Sequence, residues 1–428
     1  MTRRSFFMST IAPLFAQPRR PNVLLILADD LGYEGLSCYG STSYKTPRLD
    51  RLAAEGVRFT HAYAQPLCTP TRVQLMTGLS NHRNWRAFGV MDPKEKTFGH
   101  YMHDAGYKTV IAGKWQLYSY NPPDFEPEWR GKGKRPEDAG FDDYCLWHFG
   151  HTEEKGSRYG DPTYLVNGKL HKVEKDRYGD DIFSDHIVNF VSRHKSEPWF
   201  AYYPMALTHA PYNPTPKSKT WTQARLKNDP ANFKDMVEYM DDVIGRLLDR
   251  LDQMGQLENT LVLYYSDNGT GQEISSRMAD GRVIRGGKGL TIDTGIHVPM
   301  IAYWKGKTKA GLVTDTLVDS TDFLPTIFEA IGARLPVKVD GRSFLPQMLG
   351  QKGHPREWVY FWYNPLPGHG KEQFHKTIFA LDHEYKLYSD GRFYRVSTDP
   401  DEKTPLDQSK APAVYRKLKA AMGAMGGT

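Results

Sequence analysis

Cysteine is nearly missing from this chain, with three residues, Cys38, Cys68 and Cys145, among 428. Three thiols cannot build the disulfide framework of a small secreted scaffold and leave at most one bridge open, with nothing in the sequence to show that any pair forms. No apolar run approaches the roughly twenty residues of a membrane-crossing helix, and an ordinary span is excluded. Internal repeats and low-complexity domains are lacking as well. Charge of one sign does not dominate either: 56 basic against 50 acidic side chains give a formal net charge of +6. A mildly basic surface attracts polyanions of any kind, but no recognised nucleic-acid module accompanies it and no nucleic-acid partner is expected. Aromatics reach 13%, with nine Trp and 25 Tyr. Sugar-stacking sites often need such residues, although core and loop packing accounts for most of them.

What the chain does contain is an alternation of strand and helix patterns over a length ample for a large core, as a doubly wound sheet requires. Asn22–Ala28 (NVLLILA) and Leu261–Ser266 (LVLYYS) are short continuous apolar runs, the pattern of central strands covered on both faces. A short helix is expected over Thr46–Glu55, started by Thr46-Pro47 and stopped by Gly56. A second is expected over Asp181–His194. The clearest is Asn232–Met254, where Phe233, Met236, Val237, Met240, Ile244, Leu247, Leu248 and Leu251 recur at three and four. Its Asp235, Glu238, Asp241 and Asp242 read as a solvated face, not as a second metal site. After a helix at Asp322–Gly332 the chain changes, near Leu335-Pro336, to short aromatic strands at Trp358–Tyr363, Thr377–Leu381, Tyr385–Tyr388 and Arg392–Val396. A final helix is expected at about Ala413–Met422. The expected organisation is a main domain over residues 20–334 and a C-terminal antiparallel subdomain with a terminal helix over 335–428. Pro122–Gly140 and Pro211–Lys219 read as surface loops.

Both apolar runs end in oxygen-bearing side chains, Asp29-Asp30 after the first and Asp267-Asn268-Gly269 after the second. In open α/β sheets, ligands collect beyond the carboxyl ends of the strands. Four such side chains there would suit a hard cation, which takes six to eight oxygens. Either pair alone is also ordinary turn chemistry. Residues 68–78, CTPTRVQLMTG, add a Cys with Pro at the second following position, Arg at the fourth, and Thr-Gly behind. Gly113-Lys114-Trp115 follows the strand-like Thr109–Ala112, and Thr208-His209-Ala210-Pro211 follows the apolar Trp199–Leu207. Gly286-Gly287-Lys288-Gly289 stands ahead of Gly295 and Val298-Pro299. From about Pro21 to the C-terminus, these segments together resemble the sulfatase family.

The resemblance implies an alkaline-phosphatase-like α/β/α sandwich around a mixed, mostly parallel sheet, with the small antiparallel subdomain behind it. It further implies that a separate formylglycine-generating enzyme oxidises Cys68 to an aldehyde. The hydrate of that aldehyde then attacks sulfur through one hydroxyl and later releases sulfate through the other. Asp29, Asp30, Asp267 and Asn268, with the modified Cys68, would hold one calcium ion, although oxygen ligands alone would also admit Mg²⁺ or Mn²⁺. Arg72 would hold the hydrate and the tight turn, and Lys114 and Lys288 would neutralise the sulfuryl oxygens. His209, or Lys288 beside it, would protonate the leaving oxygen.

One position departs from the family. Two residues after Lys114 the family usually carries a His that contacts the hydrate, and here the residue is Gln116, which can hold a hydroxyl but cannot take a proton near neutral pH. His148 and His151 are candidates to replace it. His297, where the family usually has Arg, reads as a structural substitution. His369 and His375 lie in a long C-terminal loop from which a sugar could be reached.

The expected activity is hydrolysis of a sulfate monoester of a sulfated carbohydrate, with Lys114, Gln116, His209 and Lys288 contacting the substrate. A phosphomonoester or phosphonate-ester hydrolase of the same superfamily is one alternative. A catalytically silent protein that binds sulfated glycans, motivated by Gln116, is another. Residues 1–19, with Thr2-Arg3-Arg4-Ser5-Phe6 ahead of a short interrupted apolar stretch, are read as an export signal of the twin-arginine kind. A plain basic N-terminus is the alternative. Export would make the protein periplasmic or secreted.

Overall fold

The computed structural model describes residues 20–172 and 174–426, so the export-signal expectation at 1–19 lies outside the described residues. Ten strands form the main sheet. In chain order they are β1 (Asn22–Ala28), β2 (Val57–Tyr63), β3 (Lys108–Gly113), β4 (Asp143–Trp147), β5 (Tyr164–Val166), β6 (Lys169–His171), β7 (Trp199–Pro204), β8 (Thr260–Ser266), β9 (Met300–Trp304) and β10 (Leu312–Asp319). Across the sheet they run β10-β2-β9-β8-β1-β7-β3-β4-β5-β6. The centre, β8-β1-β7-β3-β4, is parallel throughout, while β9 pairs antiparallel with both β8 and β2. The sheet is therefore mixed and mostly parallel.

Alternation along β1 explains why the sheet is covered twice. Leu24, Ile26 and Ala28 join one buried cluster and Val23, Leu25 and Leu27 join another, because successive strand side chains point to opposite faces. The first cluster packs under α1 (Pro47–Glu55), α4 (Gly179–His194) and α5 (Phe233–Gln253). The second packs under α2 (Cys68–Thr77), α3 (Phe98–Asp104) and α6 (Phe323–Ala330). This is the expected α/β/α layering.

Beyond it, four short strands at Val359–Tyr363, Thr377–Leu381, Lys386–Tyr388 and Phe393–Tyr394 form a separate antiparallel sheet. Val359, Phe361 and Phe379 on one face of it pack against Tyr63, Ile296 and Leu317 of the main body. On the other face, Tyr360, Ala380, Leu387 and Phe393 meet Leu418, Ala421 and Met422 of α7 (Pro412–Ala424). The last of the four strands is shorter than the expected Arg392–Val396.

The structure answers one question left open by the sequence and corrects one expectation. Cys38 and Cys145 are both free thiols, Cys145 inside β4 and fully buried. The reading of Asp235, Glu238, Asp241 and Asp242 as a solvated face fails at Asp241, while the other three are partly exposed. Asp241 is only 2% exposed and accepts the N–H groups of Arg48 (3.0 Å) and Leu49 (2.8 Å) at the start of α1, meeting backbone donors that a helix N-terminus leaves open. Asp235 accepts from Ser218, Glu238 from the Lys45 N–H, and Asp242 pairs with Lys217 and Arg246.

Candidate active site

Because β3, β7, β1 and β8 are parallel neighbours, their carboxyl ends meet at one edge of the sheet, and the Asp29-Asp30, Lys114, His209 and Asp267-Asn268 segments emerge there. Ala28 and Ser266 are register partners, so Asp29-Asp30 and Asp267-Asn268 leave their strands side by side. Lys114 follows the last residue of β3, where its N–H donates to Pro204 O at the end of β7 (2.7 Å). Gly113 is required at that approach. It has φ +131°, and an added Cβ would lie 1.9 Å from Pro204 O.

Cys68 opens α2, which follows β2 after a short connection. Its thiol sits at a helix N-terminus rather than in a plain turn. Pro70 is tolerated because the first helical turn has no intrahelical acceptor for its missing N–H. One turn on, Arg72 lies on the same side of the helix and is 1% exposed. Its Nε and Nη2 donate to Asp267 Oδ2 (3.1 and 2.8 Å), and Nη2 lies 3.7 Å from Asp29 Oδ1.

The predicted residues converge. Ligand atoms of Asp29, Cys68 and Asp267 all lie within 4.8 Å of one another, as do those of Asp29, Asp30 and His209. Lys114 Nζ donates to Asp29 Oδ2 (2.7 Å), Lys288 Nζ donates to Asp30 Oδ2, and Asn268 Nδ2 donates to Asp30 Oδ1 (2.9 Å). Asp30 adopts φ +61°, a conformation uncommon outside glycine, and its N–H donates to Asp267 Oδ1 (3.1 Å). His209 Nε2 is 3.7 Å from Asp30 Oδ2.

The electrostatics follow from burial and these neighbours. Burial would raise the Asp29 carboxyl, but Lys114, His209, Arg72 and Lys288 overcome it and hold the group well below the usual carboxylate range. Asp267 is pushed up to about 7 by burial and by the negative charge of Asp29, against the pull of Arg72. Burial opposes the charge on Lys288, yet Asp30, Cys68 and Asp29 raise it above its ordinary value. Burial, then Lys288 and Lys114, drive His209 well below the usual histidine range, so its imidazole is neutral near pH 7.

Two oxygens of the cluster, Asp29 Oδ1 and Asn268 Oδ1, are buried with no hydrogen-bond partner. Buried acceptors of that kind are costly unless something donates to or coordinates them. Together with the remaining carboxylates they form an all-oxygen donor set that fits a hard divalent cation.

Gln116 stands at the rim with φ +53°. Its Nε2 donates to the Tyr120 hydroxyl (2.7 Å) and its Oε1 is buried without a partner. The other histidines do not join the cluster by any hydrogen bond among the described residues. His148 Nδ1 accepts from the Gly150 N–H, His369 packs edge-on to Phe125, and the His375 carbonyl accepts from Thr377. His297 is structural, paired with Asp293 (3.2 Å) and with Thr60 O (2.9 Å). Sequence reasoning missed the surround of the nucleophile. Leu67, Cys68, Phe88 and Tyr363 form one buried group, edged by Trp85, Tyr120 and Phe374. Lys155, Arg158 and Lys371 stand close by, and none lies in a recognisable motif.

A carboxylate cluster that can take a cation, ringed by lysines and a neutral imidazole at the carboxyl edge of a parallel sheet, defines a hydrolase of tetrahedral oxyanion esters. The sulfatase family model matches residues 21–333, and the model of the N-sulphoglucosamine sulphohydrolase C-terminal region matches residues 287–426. Human arylsulfatase A is 31% identical over 404 residues, covering 84% of this chain and 73% of the relative. Human N-acetylgalactosamine-6-sulfatase is 29% identical over 470 residues, covering 94% and 84%. The crystal structure of a sulfatase from Pseudoalteromonas sp. superposes with a TM-score of 0.72 at 24% identity, over 95% of this chain and 90% of that one. The chain belongs to the sulfatase family, and it is a sulfuric ester hydrolase.

Proposed function

We propose that the protein hydrolyses a sulfate monoester of a sulfated carbohydrate, after a separate maturation enzyme has oxidised Cys68 to formylglycine. One juxtaposition carries the reading: the Cys68 sulfur shares a cluster within 4.8 Å with carboxylate oxygens of Asp29 and Asp267. A hydrated aldehyde at residue 68 supplies one hydroxyl for attack on sulfur and a second whose deprotonation releases sulfate. Asp29, Asp30, Asp267 and Asn268, with the modified residue 68, would hold calcium, which supplies positive charge beside the reacting oxygens.

The other roles belong to side chains of the chain itself. Arg72 fixes Asp267 and Asp29. Lys114 and Lys288 turn from their Asp partners toward the sulfuryl oxygens, as compact charges on flexible stems can. His209 is neutral before substrate arrives. The incoming sulfuryl charge offsets the two lysines and favours the imidazolium, which then passes its proton to the leaving sugar oxygen, with Lys288 as the alternative donor. Gln116 and Tyr120 hold the nucleophile's side of the pocket by hydrogen bonds. Residues 335–428 act as a subdomain that closes the pocket with Tyr363, Phe374 and Lys371. Residues 1–19 direct export to the periplasm or beyond. A carbohydrate substrate is supported by the relative named for N-acetylgalactosamine 6-sulfate.

The test is to co-express the chain with a formylglycine-generating enzyme, weigh the tryptic fragment containing Cys68, and assay paired sulfate and phosphate esters. Thiol-to-aldehyde conversion with sulfate-ester turnover is the expected result. Preferred turnover of the phosphate or phosphonate ester would move the protein to that branch of the superfamily. The Gln116–Tyr120 pair, which offers no proton acceptor, favours one second reading. Saturable glycan binding without turnover by fully converted protein would identify a silent binding protein.

A further inference from the structure

The cations around the nucleophile fall into two groups. Arg72, Lys114 and Lys288 each have a carboxylate partner. Lys155, Arg158 and Lys371 have no ion-pair partner among the described residues; Lys371 lies over the Phe88 ring and donates to Gly370 O, whereas Lys155 and Arg158 share the Trp147 ring. Lys155 is 9% exposed, with Nζ 3.5 Å from the centroid of the Tyr120 ring and 4.1 Å from that of Trp147. The Arg158 guanidinium lies 4.0 Å from the Trp147 ring centroid, and its Nη1 is buried without a hydrogen-bond partner.

The fold explains their position. Trp147 is the last residue of β4, which runs parallel to β3, so it ends at the same sheet edge as Lys114. The chain then folds back through residues 148–163 before β5, and that segment carries both cations over the Trp147 ring. Tyr120, which holds Lys155 on its face, also binds Gln116 and borders the buried group around Cys68. Lys155 also feels the charges of Arg158 and Lys114 directly, and burial and these two push its amine well below the usual lysine range. Lys155 is buried and Arg158 half-buried, and holding both charged side by side without counter-charge is costly. Ring faces offset only part of that cost, whereas an oxyanion accepting hydrogen bonds from both would remove most of it.

We propose that Lys155 and Arg158 form a second oxyanion subsite beside the scissile sulfate, so that the substrate is a sugar carrying another sulfate or a carboxylate next to the ester that is cleaved. The inference rests on the sulfatase reading for the position of the scissile group, but binding tests it separately from turnover. Full-length Cys68→Ala protein, which needs no maturation, is titrated calorimetrically with N-acetylgalactosamine 6-sulfate, with the 4,6-disulfate, and with the 6-sulfate linked to glucuronate. The disulfate, the glucuronate conjugate, or both are expected to bind at least tenfold more tightly than the monosulfate, and which of them does identifies the second anion. Adding Lys155→Met or Arg158→Met is expected to collapse that ratio, and Lys155→Arg to keep it. A ratio near one in the Cys68→Ala protein overturns the proposal before either cation is changed. So does a preference that survives both substitutions, or an equal loss for all three ligands, which would place these cations on the scissile sulfate itself. Preference without turnover by converted enzyme would sink the catalytic reading and leave this one standing.

Discussion

Removing the guanidinium of Arg72 while keeping its apolar stem, as Arg72→Met does, should reveal what it contributes to the metal-free protein. Asp267 would lose two charge-assisted hydrogen bonds and Asp29 a cation 3.7 Å away, all in a site closed to water. Breaking a buried ion pair from one side costs about 3–5 kcal/mol. A chain of 428 residues unfolds with an entropy of about 0.9 kcal/mol/K, so the midpoint should fall by about 3–6 °C. The pH dependence has a definite sign. In the native protein burial and Asp29 hold Asp267 up at about 7, and without Arg72 its pKa rises further. A folded-state pKa above the unfolded value means that stability is lost as pH rises through it. Wild type finishes that loss near pH 7 and the variant continues beyond it, so the deficit should be larger at pH 8 than at pH 6. Scanning calorimetry in chelator at both values measures it. A variant within about 1 °C of wild type at pH 8, well inside the range expected for a broken buried pair, would refute the view of Arg72 as counter-ion to this cluster.

Three further outcomes are expected. His209→Gln in converted enzyme should lower kcat for a sulfate ester by about 10²–10⁴-fold, and should remove from the pH profile of kcat/KM an ionisation lying below the usual histidine value. Asp241→Ala leaves the N–H groups of Arg48 and Leu49 open and should cost about 1–2 kcal/mol in thermal unfolding. His61, lowered to about 4 by burial and by the neighbouring His297 and His383, contributes stability that is complete above its unfolded pKa and is lost as pH falls through 6.5 toward 4. In that window the midpoint of wild type should fall more steeply than that of His61→Gln, which keeps an acceptor for Thr60.

Segments with a one-dimensional signature were legible in the sequence. β1 and β8 are unbroken apolar runs because both of their faces are covered. The helix α5 shows its stripe because one face only is buried. The metal-type oxygens and Lys114 could be placed because each follows such a strand directly, and Lys288 through its glycine-rich segment. The helix that begins at Cys68 was not legible, and the reason is physical: all ten of its residues are buried, so no amphipathic stripe exists to be read. Asp241 looks like any acid on a polar helix face until α1 docks its open N–H groups against it. Lys155 and Arg158 lie 87 and 90 residues beyond Cys68, in a segment without a motif, and only the return of the chain over Trp147 brings them near it.

The replacement at Gln116 therefore has a local consequence. Gln116 takes up no proton, and its partner Tyr120 has a phenol raised chiefly by burial, so this side of the pocket can hold a hydroxyl but has no base. On the proposed reading, His209 is left as the imidazole within reach of the cluster. It must give a proton to the leaving oxygen and then recover one when sulfate departs. The lysines that depress its pKa in the free enzyme leave it without a proton to give before substrate arrives and make it a weak base. The negative charge of the bound sulfuryl group raises that pKa, and because the group stays on residue 68 until sulfate departs, an imidazole that has given its proton to the leaving alcohol remains basic enough to take one from the second hydroxyl.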